Sequence, residues 1–91
     1  MDAEQNGNVE NQQNPKLQIV KEKNQIDFFM NNYAVYKKSG IVVMKVVFQT
    51  EKGLDNQFYE LTQEEYDSDE FRSIANNIRK NPQLYESRHL L

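Results

Sequence analysis

Gly40-Ile41-Val42-Val43-Met44-Lys45-Val46-Val47-Phe48-Gln49-Thr50 is the stretch whose reading decides the fold. Its β-branched residues disfavour a helix, and as a strand it is apolar at odd and even positions alike. A strand of that kind needs cover on both faces. The residues before it, Tyr33-Ala34-Val35-Tyr36-Lys37-Lys38, lead through Ser39-Gly40, and the pattern predicts a hairpin with a two-residue turn. With Lys38 facing Ile41, Val35 faces Met44 and Tyr33 faces Val46. That register puts Tyr33, Val35, Val42, Met44, Val46 and Phe48 on one face.

After Thr50, Glu51-Lys52-Gly53-Leu54-Asp55-Asn56 reads as a loop into a third strand, 57–62. Pairing Thr50 with Gln57 sets Tyr59 opposite Phe48 and Leu61 opposite Val46, on the same apolar face as the first hairpin. Asp67 and Glu70 have capping-box spacing, and Phe71, Ile74, Ala75 and Ile78 form one helical stripe that ends at Asn81-Pro82. A C-terminal helix over about 68–80 should cover the core face. Upstream, Leu17–Lys21 reads as a short strand. Asn24 is a candidate cap for a short helix bearing Ile26, Phe29, Met30 and Tyr33, a spacing that Phe28 interrupts, and the same residues could also be a strand.

The expected fold is therefore α+β: a three-stranded antiparallel meander (33–38, 41–50, 57–62), a C-terminal helix on one face, and 16–32 on the other face or the sheet edge. Residues 1–15 hold only Met1, Ala3 and Val9 as apolar side chains and read as a disordered polar tail before a single small domain, 16–91. A domain of that size is marginal in its ability to bury a core, so association with a partner or a second copy is an expected way to finish the burial.

The chain has 91 residues, a net charge of −3 and no cysteine, which excludes disulfides, thiolate metal sites and cysteine nucleophiles. The longest apolar run is far short of a membrane span, and the N-terminus has no basic-then-apolar leader, so a cytoplasmic location is expected. The charge is blocky: residues 16–50 are basic, 51–70 strongly acidic and 71–91 basic. Neither sign dominates enough to predict duplex binding or nucleic-acid mimicry.

No pattern of residues announces a chemistry. His89, the single histidine, stands near the C-terminus, where backbone order is poorest, and no serine lies in a Gly-x-Ser-x-Gly elbow. An active site would need a deep pocket gathering Glu60, Tyr66 or His89 with another polar group. The acidic block Glu64, Glu65, Asp67, Asp69 and Glu70 lacks the glycine and spacing of a calcium loop, and reads as charge at a helix N-terminus or as an acidic patch facing a protein. The scattered glycines form no phosphate loop. No catalytic residue, metal or cofactor is expected, nor a small-molecule substrate.

The second sheet face is the candidate site. Tyr36, Lys38, Ile41, Val43, Lys45, Val47 and Phe58 share it with Ala34, too apolar a set for a solvated surface. Residues 16–32 could fold over it, or it could dock a protein partner or a second copy. The expected function is a non-enzymatic binding or regulatory protein, such as an inhibitor, adaptor or complex subunit. The alternative is a single-stranded nucleic-acid binder that stacks bases on Tyr36 and Phe58, with Lys37, Lys38 and Lys45 on the phosphates. The neighbouring acidic block opposes the alternative.

Overall fold

The computed structural model describes residues 15–90; the expected tail, apart from Pro15, lies outside the described residues, as does Leu91. Five antiparallel strands form one sheet in sequence order: β1 (Ile26–Phe29), β2 (Tyr33–Lys38), β3 (Ile41–Thr50), β4 (Gly53–Leu61) and β5 (His89–Leu90). Two helices, α1 (Gln63–Asp67) and α2 (Glu70–Lys80), follow β4. Three 3-10 segments, Pro15–Lys21, Lys23–Gln25 and Pro82–Arg88, complete the chain. The α+β class and the C-terminal helix stand as expected, whereas the three-stranded meander is the centre of a larger sheet.

The first hairpin has the expected register, with Lys38 opposite Ile41, Val35 opposite Met44 and Tyr33 opposite Val46. Its turn puts Ser39 at φ 51 and Gly40 at φ 83, the left-handed pair that matches strand twist in a two-residue turn. The second hairpin departs from expectation. Its turn is Glu51-Lys52 alone, so Thr50 pairs with Gly53, Tyr59 with Met44 and Leu61 with Val42. Gly53 at φ 120 takes a backbone angle that a side chain resists, and Thr50 Oγ1 clamps the turn by donating to the Gly53 carbonyl at 2.8 Å while accepting from Lys52 N–H at 3.2 Å. The displacement from the expected register is an even number of residues, so every side chain keeps its expected face. What moves is Phe48, which faces Asp55 and is only half-buried.

The core lies between α2 and one sheet face. Val35, Val42, Met44, Val46, Tyr59 and Leu61 meet Phe71, Ile74, Ala75 and Ile78 there. Residues 26–29 take the strand alternative and not the helix, because the residue that broke helical spacing is the one the core uses. Phe28 stacks on Tyr33 with centroids 5.9 Å apart and meets Phe71 edge-on at 5.0 Å. The strand read at 17–21 is 3-10 helix instead, with Ile19 its one buried residue.

The capping box is also displaced. Thr62 caps α1: its Oγ1 accepts from Glu65 N–H at 3.0 Å, and Glu65 Oε1 accepts from Thr62 N–H at 2.9 Å. Asp69, which precedes α2, sits at φ 66 and makes no side-chain cap. Asp67 belongs to the last turn of α1, not to the start of α2.

Replacing Phe71 with alanine should cost about 3–5 kcal/mol, out of the roughly 5–15 kcal/mol that holds a domain together. Urea unfolding followed by circular dichroism checks this as a fall in midpoint. Val46→Asp puts a carboxylate where the native side chain is fully buried, and should abolish the transition.

Candidate functional site

Among the described residues the second sheet face divides into a covered and an uncovered half. The 3-10 segment Pro15–Lys21 packs on β2 and β3, and Ile19, Ala34 and Tyr36 form a small second core with Val20 and Ile41 against it. Ion pairs fasten both ends of the cover, Lys16 to Glu60 of β4 at 2.7 Å and Glu22 to Lys38 of β2 at 3.1 Å. The first is part-buried and the second exposed, and an exposed pair contributes roughly 0–1 kcal/mol. Tyr36 is 5 % exposed and Val43 is fully buried. These two members of the expected partner face are thus taken up by the fold itself, because seven residues of 3-10 helix supply the cover that the apolar strand requires.

The uncovered half lies toward the tip of the β3–β4 hairpin. Pairing across the sheet aligns Phe29, Ala34, Lys45, Phe58 and Leu90 in one row, one residue from each strand. Val47 and Asn56 form the next row outward, and Gln49 and Leu54 the one after. Lys45, Val47 and Phe58 are half-buried, while Phe29 is 66 % and Leu54 71 % exposed. Leu54 and Phe29 escape a sequence reading that treats 51–56 as loop and 16–32 as cover for this face or its edge. Ile41 is half-buried beside the cover, and Lys38 is exposed but engaged with Glu22.

The acidic residues are dispersed by their helices. Glu65 turns inward, with its side chain 14 % exposed, and receives Arg88 at 2.8 Å. Burial pushes its carboxyl up, but the Thr62 backbone N–H and the Arg88 guanidinium outweigh burial and hold it below the ordinary carboxylate range. Asp67 accepts from Gln63 at 2.8 Å, and Asp69 lies 3.9 Å from Arg72. Glu64, Asp67, Asp69 and Glu70 are exposed. Among the described residues no group of three or more His, Asp or Glu side chains is placed to hold a metal ion.

Tyr66 ties α1 to the sheet edge by donating its hydroxyl hydrogen bond to Asp27 in β1. Burial first, and then the Asp27 carboxylate, push its phenol pKa up. The Lys37 ammonium lies 5.8 Å from the centre of the same ring. That contact places Lys37 toward α1, on the opposite side of the sheet from Lys45.

His89 does not join Glu60 or Tyr66 in one pocket. It packs against the Tyr59 ring at 5.1 Å and lines a cleft of about 340 Å³ with Gln57, Tyr59, Pro82, Gln83 and Glu86. Glu60 borders a separate hollow with Gly40, Thr62 and Arg88. Tyr66 lines neither. Among the described residues no helix is long and apolar enough to cross a membrane. Comparison with protein-family models, with curated proteins and with solved structures finds no match for this chain.

The Glu65–Arg88 contact sets a pH dependence. Because the folded carboxyl titrates below its ordinary value of 4.5, its contribution is present above that value and is lost as pH falls through the lower folded value. Glu65→Gln keeps the capping geometry but not the charge. It should be less stable than the parent at pH 7, and the difference should shrink as pH is lowered below 4.5, as read by thermal unfolding across that range.

Proposed function

We propose that this is a non-enzymatic binding protein that works by contact with another protein, through the uncovered half of its second sheet face and the strand edge beside it. The observation that carries this reading is the grouping of Phe29, Val47, Leu54 and Phe58 on one face, with Phe29 and Leu54 largely exposed. Single exposed apolar residues are ordinary on a monomer, but several on one sheet face are a recognised mark of an interaction surface. Lys45 in the middle of the group, half-buried, supplies a polar contact of the kind that orients a partner.

Tyr36 is packed under Ile19 and Lys37 lies by Tyr66, so the set of stacking rings and cations that a single-stranded nucleic acid would need is not assembled on this face. An inhibitor, an adaptor and a complex subunit all fit the surface equally.

The test is affinity capture from the source cell with the parent chain and with Val47→Asp. Val47 is only half-buried, so the variant should keep its circular dichroism spectrum and lose the captured protein. Identical capture by a folded Val47→Asp variant would overturn the assignment to this face.

A further inference from the structure

Among the described residues the sheet has one open edge, and its backbone geometry and charge state what would fit it. β4 is nine residues long, whereas its outer neighbour β5 has two and pairs only with Phe58 and Tyr59. Among the described residues no strand pairs with the outer side of 53–57. The ladder alternation identifies the open groups. Val47 N–H bonds to Asn32 C=O at 2.9 Å, so odd-numbered β3 residues bond toward β2 and even-numbered ones toward β4. The partners of those even residues are the odd-numbered residues of β4. Even-numbered β4 residues therefore turn N–H and C=O outward, and while Phe58 faces Leu90, Leu54 and Asn56 present theirs to solvent.

The other edge is protected. β1 is four residues long, has a register shift between Ile26 and Phe28, and carries Asp27 at the shift, all of which blunt an edge. β4 is neither short nor shifted, and the one charge on its open stretch is Asp55: its pairing with β3 runs from Val42–Leu61 to Thr50–Gly53 without interruption.

Charge selects the occupant. Asp55 lies in the middle of the open edge. Gln57 Nε2 donates to its carboxylate at 3.0 Å, and the Tyr59 hydroxyl donates to Gln57 Oε1 at 2.8 Å, so the carboxylate is held in place. The one antiparallel self-register that uses both Leu54 and Asn56 sets Asp55 opposite Asp55 of a second copy, and like charges directly opposite are destabilising. Registers moved to either side give up one of the two open residues or run into β5. A cation opposite Asp55 reverses the sign of that contact.

We propose that residues 53–57 bind an extended segment of a partner protein as an added strand, with Lys or Arg opposite Asp55 and an apolar side chain beside Leu54. This rests on the protein-binding reading and names the edge and the chemistry of the partner segment.

The experiment is fluorescence anisotropy with a labelled peptide alternating Val and Lys, a second alternating Val and Glu, and a Val/Lys peptide interrupted by proline. The Val/Lys peptide should bind saturably, and the other two at least about tenfold more weakly. Asp55→Asn should weaken binding about fivefold and flatten its salt dependence. Asn56→Pro removes an outward N–H without breaking the β3 ladder, and should abolish binding in a protein that still unfolds cooperatively. Amide exchange at Leu54 and Asn56 in the parent chain should slow on adding the Val/Lys peptide, a readout that needs no variant. No saturable binding of that peptide, equal binding of the Val/Glu peptide, or unchanged exchange at both amides would overturn the proposal. Should capture from cells depend on Val47 and not on Asn56, the edge falls and the face reading stands; should it depend on neither, both fall.

Discussion

Everything in this structure follows from burying β3 on both sides. A strand that is apolar at odd and even positions cannot lie on the surface of a sheet, so two different parts of the chain must cover it. On one side α2 supplies Phe71, Ile74, Ala75 and Ile78. On the other, the 3-10 segment Pro15–Lys21 supplies little more than Ile19 and Val20. The two covers are unequal. The first is an amphipathic helix on a continuous core; the second is a short segment with one buried side chain and an ion pair near each end.

That inequality is what leaves part of the second face exposed among the described residues. The 3-10 segment is too short to reach the tip of the β3–β4 hairpin, where the second face continues as Val47, Phe58 and Leu54. The same hairpin tip outruns β5 and exposes the backbone of Leu54 and Asn56. Face and edge thus share one origin, a β3–β4 ladder longer than the elements available to cover it. At the other end of the sheet the chain is closed by side-chain contacts instead: Tyr66 reaches Asp27, and Arg88 reaches Glu65 across from the last 3-10 segment.

Much of the centre was legible in the residues. Period-two alternation and the Ser39-Gly40 turn are local signals, and they defined the first hairpin down to its register. The α2 stripe was equally plain. The second hairpin shows the limit: the face was right and the register was not, because alternation fixes parity while turn closure fixes position, and Glu51-Lys52-Gly53 closes more tightly than its polar composition suggests. Thr62-Gln63-Glu64-Glu65 carried the real capping-box pattern, but Asp67 and Glu70 offered the same spacing nearer the apolar stripe. At the candidate site, Val47 and Phe58 were visible as second-face residues. That 16–32 could cover this face was visible too, but not which of its residues would be buried, because that depends on where a distant segment lies.

By itself the sequence determined the α+β class, the first hairpin, the α2 helix and which side chains share each face of β3. Those properties follow from spacing along the chain, which is fixed before any folding. Only the tertiary structure decided that residues 26–29 and 89–90 are strands, that 15–21 lies across half of the second face, and that β4 outlasts β5. Short segments such as these have no periodicity of their own, and their conformation is chosen by the neighbour against which they pack.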